Sequence, residues 1–311
     1  MRALVTGGAG FLGSALVDRL LAEGHTVEVV DDLSTGALAN LAEARAGGAP
    51  LRFTKLDVTS PDLAALVAHR PPDVVYHLAC PPGAAASVDD PIADARAVVL
   101  SALAVLEAAR RGGAGKVVVA LSAAVYGEPE ALPVKESHPY RPVVPRGVAE
   151  AAVAGYLAHH REQHSLEGTA LVLGTVYGPR QRPGAIAADV TGWADRLLAG
   201  DPVRLPGDGA DGHDLLFVDD AVDALARSGE RGGGLVLNVG TGRSTTLRDL
   251  AGAVAAQAGA DPPHSGGPAP AGAVVRMALD ASRARLHLGW ASFTPLADGV
   301  AATVAACRRG A

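Results

Sequence analysis

The run GGAGFLG, Gly7 to Gly13, restricts the fold of this chain more than any other stretch. It follows the short β-rich run RALVT. After it comes a helical pattern in which Leu12, Leu16 and Leu20 fall four apart on one face, with Gly24 placed to end the helix. Gly7-x-x-Gly10-x-x-Gly13 allows a tight turn and close backbone approach to a pyrophosphate, and the helix N-terminus adds N–H donors and a partial positive charge. Spaced glycines mean little alone in a chain with 38 of them. The flanking strand and helix, and Asp31 at the end of the next strand, TVEVV, supply the context. Asp31 is placed to accept from the two ribose hydroxyls of an adenosine and would repel a 2′-phosphate, so NAD is expected rather than NADP. The competing reading, a glycine turn that only packs helix on sheet, is the weaker one.

The strand signal then recurs in DVVYHLA (Asp73–Ala79), KVVVALS (Lys116–Ser122) and TALVLG (Thr169–Gly174), with alanine- and leucine-rich helical stretches between. Nearly continuous apolar strands separated by helices predict an α/β fold of Rossmann type, a doubly wound parallel sheet covered on both faces. The second half is less regular. It offers a helix around IAADVTGWADRLLAG, a strand-to-helix segment LLFVDD and the run LVLNVGTG, while QAGADPPHSGGPAPAGA (Gln257–Ala273) reads as a mobile surface loop. The expected division is a cofactor domain over residues 1–174, with a returning segment near 213–240, and a smaller, mainly substrate-binding α/β region over 175–311.

Composition narrows the function classes. A net charge of −6 argues against nucleic acid or an anionic membrane as the main partner, and 4% aromatic residues against a base-stacking surface. With 49% apolar and 19% charged residues the chain can bury a core. Cys80 and Cys307 form neither a disulfide framework nor a zinc pattern. The opening MRALVTGGAG reads as a strand, so no signal peptide is expected, and no apolar stretch is long enough to span a bilayer. A soluble cytoplasmic protein follows as the expectation. His160 and His164 have the spacing of two metal ligands, but with no third ligand evident a polar helix face is the better reading, and no metal is expected.

These words resemble the extended short-chain dehydrogenase/reductases, and within them the NAD-dependent epimerase/dehydratase group that includes UDP-glucose 4-epimerase. The resemblance runs almost end to end, through VTGGAGFLGSALVDRLLAEGH, VVDDLSTG, LDVTSPD, VYHLAC, LSAAVYGEPEALPVKESHP, TVYGPRQRP, LLAGDPVRLPGDG, LFVDDAVDALA, NVGTG and LGW. It implies that Gly7, Gly10, Phe11, Leu12 and Gly13 form the cofactor loop, and Asp31, Asp32, Leu33, Ser34, Thr35 and Gly36 the ribose-binding turn. It likewise assigns Asp57 and Val58 to the adenine, and puts Leu78, Ala79 and Cys80 beneath the cofactor. Cys80 stands where the family has alanine and is expected to fill a small apolar gap.

The family pattern breaks in PVVPRGVAEAAVAGY (Pro142–Tyr156). Where the resemblance calls for a proton-abstracting tyrosine and, four residues on, a lysine that holds the nicotinamide ribose, this chain has Arg146 and Glu150. A guanidinium stays protonated and cannot act as a base. One helical turn apart, the two are expected to pair with each other, worth about 0.5 kcal/mol, rather than form a new acid–base couple. Ser122 matches the family's remaining active-site hydroxyl. Ala123 and Ala124 follow it where the 4,6-dehydratases carry Asp-Glu, so that elimination is not expected. Tyr126 and Tyr177 are the nearest phenols; core packing is the better reading for each, and Tyr126 is kept as a candidate base.

Substrate positions diverge as well. Thr175 replaces a sugar-nucleotide asparagine, His213 replaces a diphosphate-binding arginine, Val98 replaces a helix asparagine, and no basic residue occupies GPAPAGA, where a second diphosphate arginine is expected. Arg180 remains as a candidate substrate contact. Without both bidentate arginines, pyrophosphate binding should weaken. The cofactor words are thus intact while the acid–base and diphosphate words are altered together. The expected protein is an NAD-dependent epimerase/dehydratase-type enzyme with an altered site. It would act on a small molecule, such as a sugar nucleotide, with catalytic candidates Ser122, Glu150, Tyr126 and Arg146. The alternatives are an inactive NAD-binding relative and a non-redox lyase or cyclase on the same scaffold. The resemblance also implies a homodimer packed through the helices at LSALAVLEAARR and RGVAEAAVAGYLAHH.

Overall fold

Alternating strand and helix signals become alternating elements in the computed structural model, which describes residues 1–80, 85–183, 189–261, 263–267 and 276–310. Strand β1 (Arg2–Thr6) leads into helix α1 (Phe11–Ala22), followed by β2 (Thr26–Asp31), α2 (Ala42–Ala46), β3 (Leu51–Lys55), α3 (Asp62–His69) and β4 (Val74–His77). Two short helices, α4 (Ala85–Asp89) and α5 (Pro91–Ala95), pass through a π-turn at Arg96–Leu100 into α6 (Ser101–Gly112). Then come β5 (Lys116–Ser122), α7 (Pro145–His164) and β6 (Glu167–Leu173). The second half begins with β7 (Thr175–Tyr177), α8 (Val190–Leu198), β8 (Arg204–Pro206), β9 (Gly212–His213), β10 (Leu215–Phe217) and α9 (Val218–Ser228). It ends with β11 (Val236–Val239), β12 (Thr245–Thr246), α10 (Leu247–Ala258), β13 (His264–Gly267), α11 (Ser282–Leu288) and α12 (Leu296–Gly310).

Among the described residues, seven strands form one sheet in the order β11-β6-β5-β4-β1-β2-β3, every neighbouring pair parallel. Successive strand residues point to opposite faces, and both faces are buried. Val74, Tyr76, Val118 and Leu171 join one core with Leu16, Val17 and Leu20 of α1 and with α9. Val75, Val117, Val119 and Val172 join the other, with α3, α6 and α7. Burying each such valine or leucine contributes about 1.5–3 kcal/mol, which is why these strands need no polar side.

One strand goes unanticipated and one expectation needs correction. β3 gave no recognised signal in the sequence, because this edge strand is only half buried and reads LRFTK. The stretch Gln257–Ala273 is not a loop throughout: α10 runs to Ala258, and His264–Gly267 pairs in parallel with β8. The GPAPAGA segment lies largely outside the described residues. No helix among the described residues is long and apolar enough to cross a membrane.

Candidate active site

The strand order reverses at β1, which lies between β2 and β4. A parallel sheet opens a crevice at such a point, beyond the carboxyl ends of the strands. The glycine loop sits there. Gly7 has φ +69°, and a Cβ on it would come within 2.6 Å of the Ala79 nitrogen, so Leu78 and Ala79 abut the loop. A Cβ on Gly13 would strike the Gly7 carbonyl. Close backbone packing within the loop and against the end of β4 therefore requires glycine at both positions.

Asp31 is buried at the tip of β2. One carboxylate oxygen accepts from the Ala9 N–H (2.9 Å) and the other from the Leu33 N–H (2.8 Å), which fixes the acid against the loop with lone pairs to spare. Leu33 takes φ +64°, and the next turn is held by the Ser34 N–H and hydroxyl, both donating to Asp32 (2.8 and 2.6 Å). A Cβ on Gly36 would lie 3.0 Å from Asp31 Oδ1. Asn40, not anticipated, donates its amide to the Ala9 carbonyl (2.8 Å). Phe11 and Leu12 open α1. Asp57 spends one oxygen on the Thr59 N–H and hydroxyl, both at 2.8 Å, beside buried Val58. This set of glycines, a helix N-terminus and a fixed acid suits a dinucleotide carrying a free ribose 2′-hydroxyl.

Across the switch point, β4 ends at His77. Its ring is buried, with Nδ1 2.8 Å from the Thr6 hydroxyl and Nε2 3.5 Å from the Ser101 hydroxyl, and burial lowers its pKa to about 4. Cys80 is accessible rather than packed into a gap. Even so, the protein around it desolvates the thiolate and raises the thiol to about 12, against the pull of Arg146, so it is no ready nucleophile.

The expected Arg146–Glu150 pairing gives way to two other partnerships. Pro145 opens α7 with Val144 extended before it, which sets Arg146 in the first turn and Glu150 one turn later. Arg146 reaches α5, where its Nε and Nη2 donate to Asp94 Oδ1 (2.8 and 2.6 Å), and its backbone N–H donates to Ser87 (3.2 Å). Burial works against that charge, but the carboxylates of Asp94 and Glu150 outweigh it and keep the guanidinium protonated. The other oxygen of Asp94 is buried and has no hydrogen-bond partner among the described residues.

Glu150 is 5% exposed and turns to the end of β5. Its Oε2 accepts both the Ser122 hydroxyl (2.6 Å) and the Ser122 backbone N–H (2.7 Å). Burial pushes this carboxyl above its ordinary range, against the lowering effects of the Ser122 bonds and of Arg146.

Tyr126, the candidate base, is fully buried. Its ring is buried edge-on to His138 and Tyr140, and its hydroxyl donates to Asn238 Oδ1 (2.7 Å). Burial raises its pKa further, which leaves a phenol with no phenolate. Tyr177 is likewise buried, against Phe217. Thr175 and His213 stand together, with Thr175 Oγ1 3.3 Å from His213 Nδ1. Burial lowers the His213 pKa, so it presents a neutral ring where the resemblance implied an arginine. Val98 is buried in the π-turn. Arg180, at φ +70°, extends to α1, donating to Asp18 (2.6 Å) and Ser14 (3.3 Å). His160 faces Glu107 (3.2 Å) and the Tyr156 carbonyl (2.8 Å), and no metal-binding group of three ligands occurs among the described residues.

Asp94, Thr6 and Ser101 were not foreseen. Their partners lie tens of residues away, and the only hint was general: a buried arginine on an apolar helix face requires a carboxylate somewhere.

The model of the NAD dependent epimerase/dehydratase family matches residues 3–240. A UDP-glucose 4-epimerase of Mycolicibacterium smegmatis is 43% identical over 306 residues, covering 98% of this chain and 97% of the relative. Among solved structures, the UDP-glucose 4-epimerase of Thermotoga maritima with UDP-glucose superposes with TM-score 0.93 at 33% identity, covering 100% of this chain and 99% of the other. The UDP-glucose 4-epimerase of Thermus thermophilus in complex with NAD gives TM-score 0.93 at 34% identity, with both chains fully covered.

Proposed function

Since this chain belongs to the NAD dependent epimerase/dehydratase family, we propose that it oxidises a hydroxyl carbon of a sugar or nucleotide sugar, using a Ser122–Glu150 couple in place of the family's tyrosine and lysine. NAD, the family's cofactor, is held by the glycine loop and Asp31 and supplies the hydride acceptor. The carrying observation is the pair of short bonds from Ser122 to one oxygen of a buried carboxylate.

Ser122 accepts the substrate's hydroxyl proton on Oγ while passing its own to Glu150 Oε2. One proton thus leaves the substrate oxygen as the hydride leaves its carbon, and the carboxylate ends as a carboxylic acid. When the hydride is returned, the same relay would run in reverse, with Glu150 giving its proton through Ser122 back to the substrate oxygen. A carboxyl raised towards neutrality suits both directions. The Ser122 N–H keeps Glu150 aimed at the hydroxyl. Arg146 is tied to Asp94 and positions rather than reacts. Thr175, His213 and Arg180 would line the substrate side.

The protein would work as a soluble cytoplasmic homodimer. Exposed Val88, Ile92, Leu100, Val148 and Tyr156, on α4, α5, the π-turn and α7, support an apolar face for a second copy.

The test is steady-state and single-turnover kinetics of wild type and Glu150→Gln on a panel of nucleotide sugars, after native mass spectrometry of the purified protein to identify bound ligands. Loss of roughly a hundredfold or more in kcat is expected for Glu150→Gln; an unaffected rate removes Glu150 from the mechanism. Retained NAD with no hydride exchange on any sugar would favour an inactive NAD-binding relative. That reading draws on the engagement of Arg146 by Asp94 and the burial of Tyr126.

A further inference from the structure

We infer that the Glu150 carboxylate makes this site discriminate between the redox forms of its dinucleotide, acting as a fixed counter-ion that favours the oxidised over the reduced nicotinamide. The inference rests on the proposed occupancy of the cradle by NAD. The glycine loop and Asp31 hold the adenosine half on the β1–β2 side. A dinucleotide crossing the switch point lays its second half over the ends of β4 and β5, and Ser122, the last residue of β5, is the residue bonded to Glu150.

The charges around that spot come from few elements: Glu150 and Arg146 from α7, Asp94 from α5, the thiol of Cys80 beyond β4 and the hydroxyl of Ser122 from β5. Arg146 and Asp94 are matched to each other at 2.6 Å with both side chains buried. Glu150 is bonded to an uncharged hydroxyl and an uncharged N–H. The unmatched charge at the end of β5 is therefore negative.

NAD⁺ and NADH share every part except the ring, which is cationic in one and neutral in the other. Only a group that senses that difference can separate their affinities. A buried carboxylate does so with the force of one partly screened unit charge, on the order of ten- to a hundredfold. The pull also biases bound hydride towards return to the sugar, keeping the oxidised intermediate scarce.

The charge requires ionised Glu150, whose carboxyl burial raises. A cationic ring lowers it again, so binding NAD⁺ expels a proton whenever Glu150 begins protonated, and NAD⁺ tightens as pH rises through that titration. NADH does neither.

The experiment is equilibrium titration of nucleotide-stripped wild type and Glu150→Gln with NAD⁺ and with NADH by calorimetry. It is run between pH 5.5 and 8.5 in two buffers of different ionisation heat. Wild type should show a ratio of NADH to NAD⁺ dissociation constants at least about tenfold above that of the variant, with proton release on NAD⁺ alone. An equal ratio in both proteins, or equal proton release with both nucleotides, overturns the inference. The wild-type proton count decides the matter if the variant does not fold. A shifted ratio in a variant that still turns over normally upholds this inference and removes Glu150 from the proposed acid–base role. Binding of neither nucleotide to wild type overturns both.

Discussion

Acidification should weaken this fold through His77, the last residue of β4. The ring lies in the crevice floor, 7% exposed, between the Thr6 and Ser101 hydroxyls. Burial lowers its pKa from 6.5 to about 4. The unfolded chain takes up a proton as pH falls through 6.5, whereas the fold refuses it until about 4. The stabilisation from the neutral ring is therefore complete above pH 6.5 and lost as pH falls towards 4. At 1.36 kcal/mol per unit the whole window is worth roughly 3 kcal/mol, about 2 kcal/mol of it between pH 7 and pH 5. Other carboxylates titrate there too, so the comparison is with His77→Asn, whose amide keeps the Thr6 contact and does not titrate. Urea unfolding of both proteins at pH 7 and pH 5 should show wild type losing about 2 kcal/mol more than the variant. Equal losses would mean that the folded ring accepts a proton freely and that its burial carries no such penalty.

Asp31→Asn should weaken NAD binding roughly ten- to a hundredfold in a fluorescence titration and narrow the preference over NADP, since a charged acceptor and the repulsion of a 2′-phosphate are both lost. Tyr126→Phe should cost about 1–2 kcal/mol in denaturant unfolding by leaving Asn238 Oδ1 without its donor, with kcat unchanged. A fall in kcat at unchanged stability would return the phenol to the mechanism. Arg146→Met should lower stability by roughly 3–5 kcal/mol because it strands the Asp94 carboxylate, and adding Asp94→Leu should recover most of the loss, as measured by urea unfolding of single and double variants.

The parts legible in the sequence are those whose cause is local. Short, largely apolar runs produced β1, β2, β4, β5 and β6, because a strand covered on both sides carries few polar residues to confuse the signal. β3, half exposed at the edge, carries lysine and arginine and looked like connecting chain. The cofactor loop was readable because φ > 0 at Gly7 and the lack of space at Gly13 demand glycine within one short stretch. The candidate catalytic cluster was not. Glu150 and Arg146 were singled out by position, yet a spacing of four made them look like each other's partner. Their real partners, Ser122 and Asp94, lie 28 and 52 residues away, and only the packing of α7 across β5 and α5 decides between them.

One of the two edge strands of the sheet, Val236–Val239, comes from the second half of the chain and shields β6, six of whose seven residues are buried. An ancestor trading one C-terminal half for another by recombination would have had to import a matching strand, or leave the backbone edge of β6 open to pairing with its neighbours. Change in what such a protein recognises is therefore channelled into side chains on a retained backbone.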